Sequence, residues 1–331
     1  MIKIAKLILS FSAIISLFGC THNDEQKNQS SNNKNDTRIA SSKNIIAYFN
    51  QSDKSIYTLT DFKSKKKLIT VEDGNATWPI YSPDGNRIAF TGKVNGVLAT
   101  YTMDSETGQN LKMITSPKGG LHEGVLDWQS DGSLICVTKN LDGNAEIYAV
   151  IDSTNMQNLT NHEHWDFFPL SHSNNMISFW TSRDDPNKDR KQYDYQSLYT
   201  INTDGTNLTK RFQIEAMTNE SVGNGIFPAI SPDGDTYVFM MALDLHSINM
   251  DGSNLKNLTQ SDGIGEYFPF FSNNETNRIY FSSHDTISPS LNIYSIDLEG
   301  NNKKQHTSFK DEKNVILYAK FKPIITLTDK K

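Results

Sequence analysis

The stretch FPAISPDGDTYVF, residues 227–239, decides the fold of this chain. Two apolar runs flank a Ser-Pro-Asp-Gly sequence, which has the residue types of a tight turn. Pro232 presets the φ angle of the turn, Asp233 can hydrogen-bond to neighbouring backbone, and Gly234 accepts a positive φ. Apolar runs on both sides of such a turn predict a β-hairpin.

Versions of this hairpin recur along the chain. The related stretches are WPIYSPDGNRIAF, LDWQSDGSLICV, FPLSHSNNMISF, FPAISPDGDTYVF and FPFFSNNETNRIYF, which begin at Trp78, Leu126, Phe168, Phe227 and Phe268. A second hairpin follows each, as in LHSINMDGSNLKNLT (245–259) and LYTINTDGTNLTKRF (198–212), where Asp-Gly marks the turn from strand three to strand four. The unit therefore has four strands and a period of roughly 50 residues or less, which is the scale of a propeller blade.

The two ends of the chain complete the count of units. Residues 44–49, 55–62 and 65–70 read as three strands, and LYAKFKP (317–323) has the register of the first strand of a unit. Together they predict a sixth blade, so the fold class is an all-β six-bladed propeller of four-stranded blades. Closure by the chain ends leaves no long open sheet edge. A β-sandwich, the alternative, does not explain a repeated four-strand unit with the same turn chemistry.

The N-terminus predicts export. Lys3 and Lys6 precede an uncharged apolar run, residues 7–18, which is too short to span a bilayer but fits a secretion signal. The signal ends in LFGC, which resembles a bacterial lipobox. The sequence therefore predicts that residues 1–19 are a signal peptide and that Cys20 becomes the lipidated first residue.

Residues 20–43 have almost no apolar content and are predicted to form a flexible tether to a propeller over 44–325, with a tail at 326–331. In a bacterium with two membranes, the resemblance to sorted lipoproteins implies an outer-membrane anchor facing the periplasm, since Thr21 rather than Asp follows the cysteine. Beyond Cys20, Cys136 is the second and last cysteine, so it is expected to be a small core residue.

Charge argues against nucleic acid as a partner. The formal net charge is −6, and loss of Lys3 and Lys6 with the signal makes it −8. The basic cluster that stands out is KSKKK, residues 63–67. Membrane contact is predicted through the N-terminal lipid alone, and the protein is expected to be a monomer.

The repeat motifs resemble those of the TolB-like β-propeller family. They are SPDG at 82–85 and 231–234 and MDGSNLKNLT at 250–259, and the resemblance covers residues 45–323. It implies the propeller fold but no particular function, because function resides in sites carried by a fold. TolB itself carries an α/β domain before its propeller and partners the peptidoglycan-associated lipoprotein. A polar linker stands here instead, so the chain is not predicted to be TolB proper.

Two enzyme families carry similar propellers. Prolyl-oligopeptidase-type peptidases use a G-x-S-x-G nucleophile, which is absent from this sequence. Oligogalacturonate lyases use a metal and several histidines, and this resemblance keeps open a metal-assisted polysaccharide lyase or a glycoside-acting enzyme as the alternative function.

One position recurs two residues before the start of the innermost strands, which is marked by an aromatic residue or, in the third blade, by Val125. The residues at this position are Ala76, Glu123, Asp166, Gly225 and Glu266. Three of the five are acidic, which predicts a partial acidic ring at one mouth of the central channel, with His122 and Trp165 beside it. Such a ring would suit a cation, an amine or a basic peptide end. The alternative is that these loop carboxylates are simply solvated.

Two segments are weak candidates for a metal. His162 and His164 lie in NHEHWD, a loop that follows a strand end. Asp185, Asn187 and Asp189 alternate as calcium ligands do, but Arg190 stands where a calcium loop needs glycine. The sequence therefore predicts no obligatory cofactor, with Ca²⁺ or another divalent ion as the alternative, and the long insertion 182–197 is predicted to touch a partner.

An aromatic column marks the start of the innermost strands. It comprises Trp78, Phe168, Phe227, Phe268 and Tyr318, and a proline follows the first four. At one residue per blade the column predicts packing between neighbouring blades, with sugar stacking as the alternative. The sequence as a whole predicts a lipid-anchored module that binds an envelope protein or a peptide through its loop-rich face.

Overall fold

The structure is a computed structural model, and it describes part of the chain. The described residues are 43–72, 78–115, 123–139, 144–152, 155–172, 174–184, 197–214, 226–261, 264–272, 277–284, 290–309 and 316–323. For residues 123–126, 136–139, 151–152, 226 and 316–319 the backbone alone is described. The chain divides into two units, Met1–Ser41 and Ser42–Lys331, and every described residue belongs to the second. The predicted signal and Cys20 lie outside the described residues.

Within the described residues the chain forms twenty-four β-strands and no helix. The strands are β1 Ile45–Asn50, β2 Ser55–Thr60, β3 Ser64–Thr70, β4 Ile80–Tyr81, β5 Arg87–Val94, β6 Val97–Asp104, β7 Lys112–Met113, β8 Glu123–Trp128, β9 Leu134–Lys139, β10 Ala145–Asp152, β11 Asn155–Asn158, β12 Asp166–Ser171, β13 Met176–Thr181, β14 Ser197–Asn202, β15 Thr209–Gln213, β16 Ile226–Ile230, β17 Thr236–Met241, β18 Asp244–Asn249, β19 Lys256–Asn257, β20 Glu266–Phe271, β21 Arg278–His284, β22 Leu291–Asp297, β23 Lys304–Gln305 and β24 Ile316–Phe321.

The described strands form six antiparallel sheets of four strands, which are the blades of a propeller. Blades 2 to 6 each take four consecutive strands, from β4–β7 to β20–β23, and blade 1 has the order β24-β1-β2-β3. The C-terminal strand is therefore the innermost strand of the first blade. Ile46 lies opposite Phe321, and the Lys322 N–H donates to Ile45 O at 2.7 Å. The predicted fold and its closure by the chain ends are confirmed.

The turn between the first two strands of blade 5 shows why the repeat motif folds as a hairpin. The Gly234 N–H donates to Ser231 O at 2.8 Å, and Gly234 has a φ of 82° that most side chains would resist. The Thr236 N–H donates to Ser231 Oγ at 3.0 Å, while the hydroxyl of Ser231 donates to Asp233. The turn is thus fixed by its own short polar side chains, as the sequence predicts.

The hydrophobic core lies between neighbouring blades. At the junction of blades 4 and 5, the ring of Trp180 packs 5.5 Å from Phe239 and 5.9 Å from Phe212, and all three side chains are buried. Leu245 of blade 5 shares a second cluster with Phe281 of blade 6. Each blade therefore depends on its neighbours for burial of its apolar faces.

The propeller has two different faces. The loop face carries the connections from strand two to strand three and from each blade to the next. The turn face carries the short turns between strands one and two and between strands three and four. Much of the loop face, including residues 185–196 and 215–225, lies outside the described residues.

Candidate functional site at the channel mouth

The innermost strands of five blades carry one extra residue near the loop face. In blade 4, Phe167 lies opposite Trp180 but Leu170 lies opposite Ser178, so three steps on one strand match two on the other. Blades 1, 3, 5 and 6 show the same shift of register. Such a β-bulge bends the strand and redirects the extra side chain.

The bulged residue is a phenylalanine in three of these blades. Phe168, Phe227 and Phe268 have φ angles of 53°, 61° and 56°, in the left-handed region that bulky side chains rarely adopt. Each such conformation costs about 1–3 kcal/mol and persists where the surrounding structure enforces it. The proline that follows has no N–H to lose from the ladder, which makes this pair of residues suitable for the bulge.

These bulges bring aromatic rings together across the central channel. The Trp78 ring of blade 2 lies 5.4 Å from that of Phe227 in blade 5, and these two blades stand opposite each other in a ring of six. Phe168 lies 6.2 Å from Trp78, and Phe268 lies 4.3 Å from Phe227. We call Trp78, Phe168, Phe227 and Phe268 the aromatic cluster.

The aromatic cluster agrees in part with the predicted column. Phe168 and Phe227 lie 5.8 Å apart in the neighbouring blades 4 and 5 and pack with the core between them, as the sequence predicts. The contact between Trp78 and Phe227 differs, because it joins opposite blades at the mouth of the channel. Phe168 is buried, and Trp78, Phe227 and Phe268 are half-buried. Three apolar rings at this mouth therefore keep part of their surface accessible. The side chain of Tyr318 is not described.

Asp166 of the predicted acidic ring is buried and paired with a cation. Its side chain is 0% exposed, and Arg183, 7% exposed, donates from Nη2 to Asp166 Oδ2 at 2.6 Å. The guanidinium also lies 5.1 Å from the ring centre of Tyr199. Burial raises the pKa of Asp166, and the charge of Arg183 opposes that rise.

Glu266 occupies the matching position in blade 6. Its side chain is 0% exposed and accepts from Lys303 Nζ at 2.9 Å. Lys303 extends across the rings of Phe281 and Tyr294, 5.6 Å and 5.5 Å from their centres. Burial raises the pKa of Glu266, and contacts with Thr259 and Lys303 oppose it. Both acids thus bind cations of the protein itself.

A third buried carboxylate, Glu146 in β10, holds the loop that contains the two histidines. Glu146 is 0% exposed and accepts from the Thr160 hydroxyl at 2.6 Å and from the His162 N–H at 2.8 Å. Burial raises its pKa, and the nearby charge of Asp166 adds to the rise. In blade 5, Asp244 likewise holds the loop after strand four, because it accepts a hydrogen bond from the Ser261 N–H at 2.8 Å.

The two histidines are part of this loop structure. The His164 N–H donates to His162 Nδ1 at 3.1 Å, and the two rings lie 5.5 Å apart. The His164 side chain is 7% exposed, and burial together with Arg183 lowers the pKa of His162. Trp165, half-buried, packs against the cores on both sides of blade 4.

The structure describes only some of the predicted site residues. His122, Asp185, Asn187 and Asp189 lie outside the described residues, and Glu123 is described by its backbone alone, at the start of β8. Among the described residues, no group of three His, Cys, Asp or Glu side chains is placed to hold a metal. The roles of the acidic ring and of a metal stay predictions.

Sequence reasoning missed the partners that hold the carboxylates in place. Arg183 lies 17 residues after Asp166 in the chain, and Lys303 lies 37 residues after Glu266. Glu146 had a signal, because a charge in the apolar run AEIYAV is unusual for a buried strand. Arg183 and Lys303 had no such signal in the sequence, since each stands among other charged or polar residues.

Three solved structures share this architecture. TolB from Acinetobacter baumannii is 17% identical with a TM-score of 0.62, and the match covers 85% of this chain and 67% of that one. A candidate TolB from Agrobacterium tumefaciens is also 17% identical, with a TM-score of 0.54 over 85% of this chain and 99% of that one.

The fold is that of a TolB-like six-bladed propeller. The same fold is found in the nidogen/laminin complex, with 11% identity, a TM-score of 0.61 and coverage of 84% of this chain and 98% of that one. These identities establish a common fold and leave function to the residues of this TolB-like chain.

Sequence comparison gives a narrower match. An uncharacterized protein of Agrobacterium fabrum is 25% identical over 190 residues, which is 56% of this chain. The match spans 61% of that relative's length. No protein-family model matches the chain. Among the described residues, no helix has the length and apolar character of a membrane span.

Proposed function

We propose that this TolB-like propeller is a lipid-anchored envelope protein that binds a protein or peptide partner at the channel mouth. The observation that carries the proposal is the aromatic cluster. Three of its residues are half-buried and keep part of their surface accessible, and three hold a strained backbone that turns them toward the channel. Strain retained at one place in a fold supports a role for that place in function.

The chemistry of the mouth favours an apolar contact. Asp166 and Glu266 are buried and already have Arg183 and Lys303 of the protein itself as partners. Tryptophan and other aromatic residues dominate the binding energy of many protein interfaces. The partner is therefore a chain that inserts an aromatic or aliphatic side chain against Trp78 and Phe227.

The N-terminal sequence supports the proposed location in the cell. A secretion signal that ends in LFGC would lipidate Cys20, and the polar residues 21–43 would tether the propeller near the membrane. The TolB neighbours agree with an envelope address, and the nidogen/laminin complex is an example of this fold engaged with another protein. The outer membrane, facing the periplasm, is the proposed site of anchoring.

Phe227→Ala is expected to weaken partner binding by roughly tenfold or more, because truncation of a central aromatic residue costs about 2 kcal/mol in many interfaces. The measurement is quantitative co-purification of envelope proteins with the full-length chain and with the variant. Leu208→Ala is the matched control, since Leu208 is 45% exposed and lies on the turn face. A partner retained equally by wild type and Phe227→Ala, but lost with Leu208→Ala, would place binding on the wrong face.

A further inference from the structure

The turns between strands three and four close the seams between blades on the turn face. In blade 2 this turn carries Gly108, with a φ of 70°, and a Cβ there would lie 2.5 Å from Leu68 O of blade 1. In blade 6 a Cβ on Gly300 would collide with Leu258 O of blade 5. Because glycine has no Cβ, the backbone of each turn contacts the backbone of the preceding blade, and no space is left between the two blades there.

The turn of blade 1 departs from this pattern. It contains no glycine, and Asp61 and Phe62 take the left-handed φ angles of 51° and 57° instead. The Phe62 ring reaches into blade 6, where it stacks 5.7 Å from Tyr280 and lies 4.5 Å from His306. A side chain therefore spans this seam, whereas the seams at Gly108 and Gly300 are closed by backbone.

The result is a cavity at the seam between blades 6 and 1, on the turn face. Its volume is about 380 Å³, which lies within the range of small-molecule sites. The residues that line it are Asn44, Phe62, Arg278, Tyr280, Lys304 and His306. Two of these side chains are cations and three are aromatic, while none is a carboxylate.

Two carboxylates lie beside the lining residues, and one of them, Asp297, interacts electrostatically with Arg278. Asp61 accepts from the Asn44 N–H at 3.0 Å, and Asp297, which lies opposite Arg278 in the sheet, accepts from the Asn301 N–H at 2.7 Å. Lys304 is exposed at the rim of the cavity. Burial, and then the charges of Lys304 and Arg278, lower the pKa of His306 to about 4. The lining of the cavity therefore carries two cations and no carboxylate, and Asp297 offsets part of the charge of Arg278.

His306 is also a departure from the repeat. In blades 3 and 5 the matching position holds Leu159 and Leu258, which are buried in the cores. In blade 6 an imidazole stands there and hydrogen-bonds through Nε2 with Ser295 Oγ at 2.7 Å. A polar imidazole thus stands in place of a core leucine at the seam between blades 6 and 1, where the Phe62 ring lies.

We propose that this cavity is a binding site for a small aromatic anion, an aryl carboxylate or an aryl phosphate. The anionic group lies between Arg278 and Lys304, and the ring packs against the aromatic walls made by Phe62, Tyr280 and His306. The site is on the opposite face from the channel mouth and does not depend on the proposed partner binding.

The test is a calorimetric titration of the full-length protein with 2-naphthoate as the probe. Saturable binding is expected, with no binding of the neutral isostere 2-naphthamide and weaker binding of cyclohexanecarboxylate and inorganic phosphate. Arg278→Gln and Lys304→Gln are each expected to weaken 2-naphthoate by about tenfold, since a hydrogen bond to a charged group contributes about 1.5–3 kcal/mol. Lys112→Gln is the matched control, at the same place in blade 2.

A second readout follows the imidazole directly. Bound anion opposes the charges of Lys304 and Arg278, so 2-naphthoate is expected to raise the pKa of His306 from about 4, as seen in a histidine ring NMR titration. The proposal is overturned if 2-naphthoate fails to bind at millimolar concentration. It is also overturned if the amide binds as well as the acid, or if Lys304→Gln and Lys112→Gln behave alike.

Discussion

A chain that ends at Val315, before β24, is expected to lose its cooperative unfolding transition. This deletion removes the innermost strand of blade 1, which pairs with β1 from Ile46 to Asn50. It also removes Phe321 from a core that contains Tyr48, Phe270 and Tyr280. Loss of one buried phenylalanine side chain alone costs about 3–5 kcal/mol, against a total stability of about 5–15 kcal/mol for a domain.

The measurement is urea unfolding followed by tryptophan fluorescence and circular dichroism. The matched control is a chain that ends at Pro323, which keeps β24 and the Lys322 bond to Ile45. The control should unfold with the same midpoint as the full-length chain. If the chain that ends at Val315 unfolds as cooperatively as the control, blade 1 does not close the ring in the way described.

The second large effect is expected at the buried ion pair of blade 4. Arg183→Met should destabilise the protein by about 3–5 kcal/mol, because it leaves the carboxylate of Asp166 buried without its cation. Lys256→Met is the matched control. It breaks an ion pair with Glu299 in which the two side chains are 43% and 74% exposed, so its cost should stay below about 1 kcal/mol.

The destabilisation by Arg183→Met should depend on pH. Burial already raises the folded-state pKa of Asp166 above its ordinary value of 3.8, and loss of the opposing arginine raises it further. A raised folded pKa costs stability above that pKa, and the cost is relieved as the pH falls toward 3.8. The difference in the free energy of unfolding between Arg183→Met and wild type, measured with urea, should therefore be smaller at pH 5 than at pH 8. A gap that is small at pH 8, or that widens in acid, would contradict an unpaired buried carboxylate.

The blades could be predicted from the sequence because local chemistry determines them. The Ser-Pro-Asp-Gly turns at Ser82 and Ser231 are fixed by their own side chains. Each hairpin can therefore be predicted from about a dozen residues of sequence. Closure of the ring can also be predicted from a local pattern, since residues 317–323 repeat the sequence pattern of the first strand of a blade.

The channel mouth could not be predicted to the same depth. A β-bulge adds a single residue to one strand, and nothing in FPLS or FPFF distinguishes a bulged phenylalanine from one in a regular ladder. The positive φ of Phe168 and Phe268 arises from the register between two strands, which is a tertiary property. The pairing of Asp166 with Arg183 likewise depends on where the end of β13 places a side chain.

Photocrosslinking in the native envelope tests the central claim most directly. A photoreactive phenylalanine analogue replaces Trp78 at the channel mouth or, as the control, Leu208 on the turn face. The account predicts a discrete crosslinked protein partner from position 78 and none from position 208, with the crosslink lost in the Phe227→Ala background. A partner captured from position 208 but not from position 78 would contradict binding at the aromatic cluster.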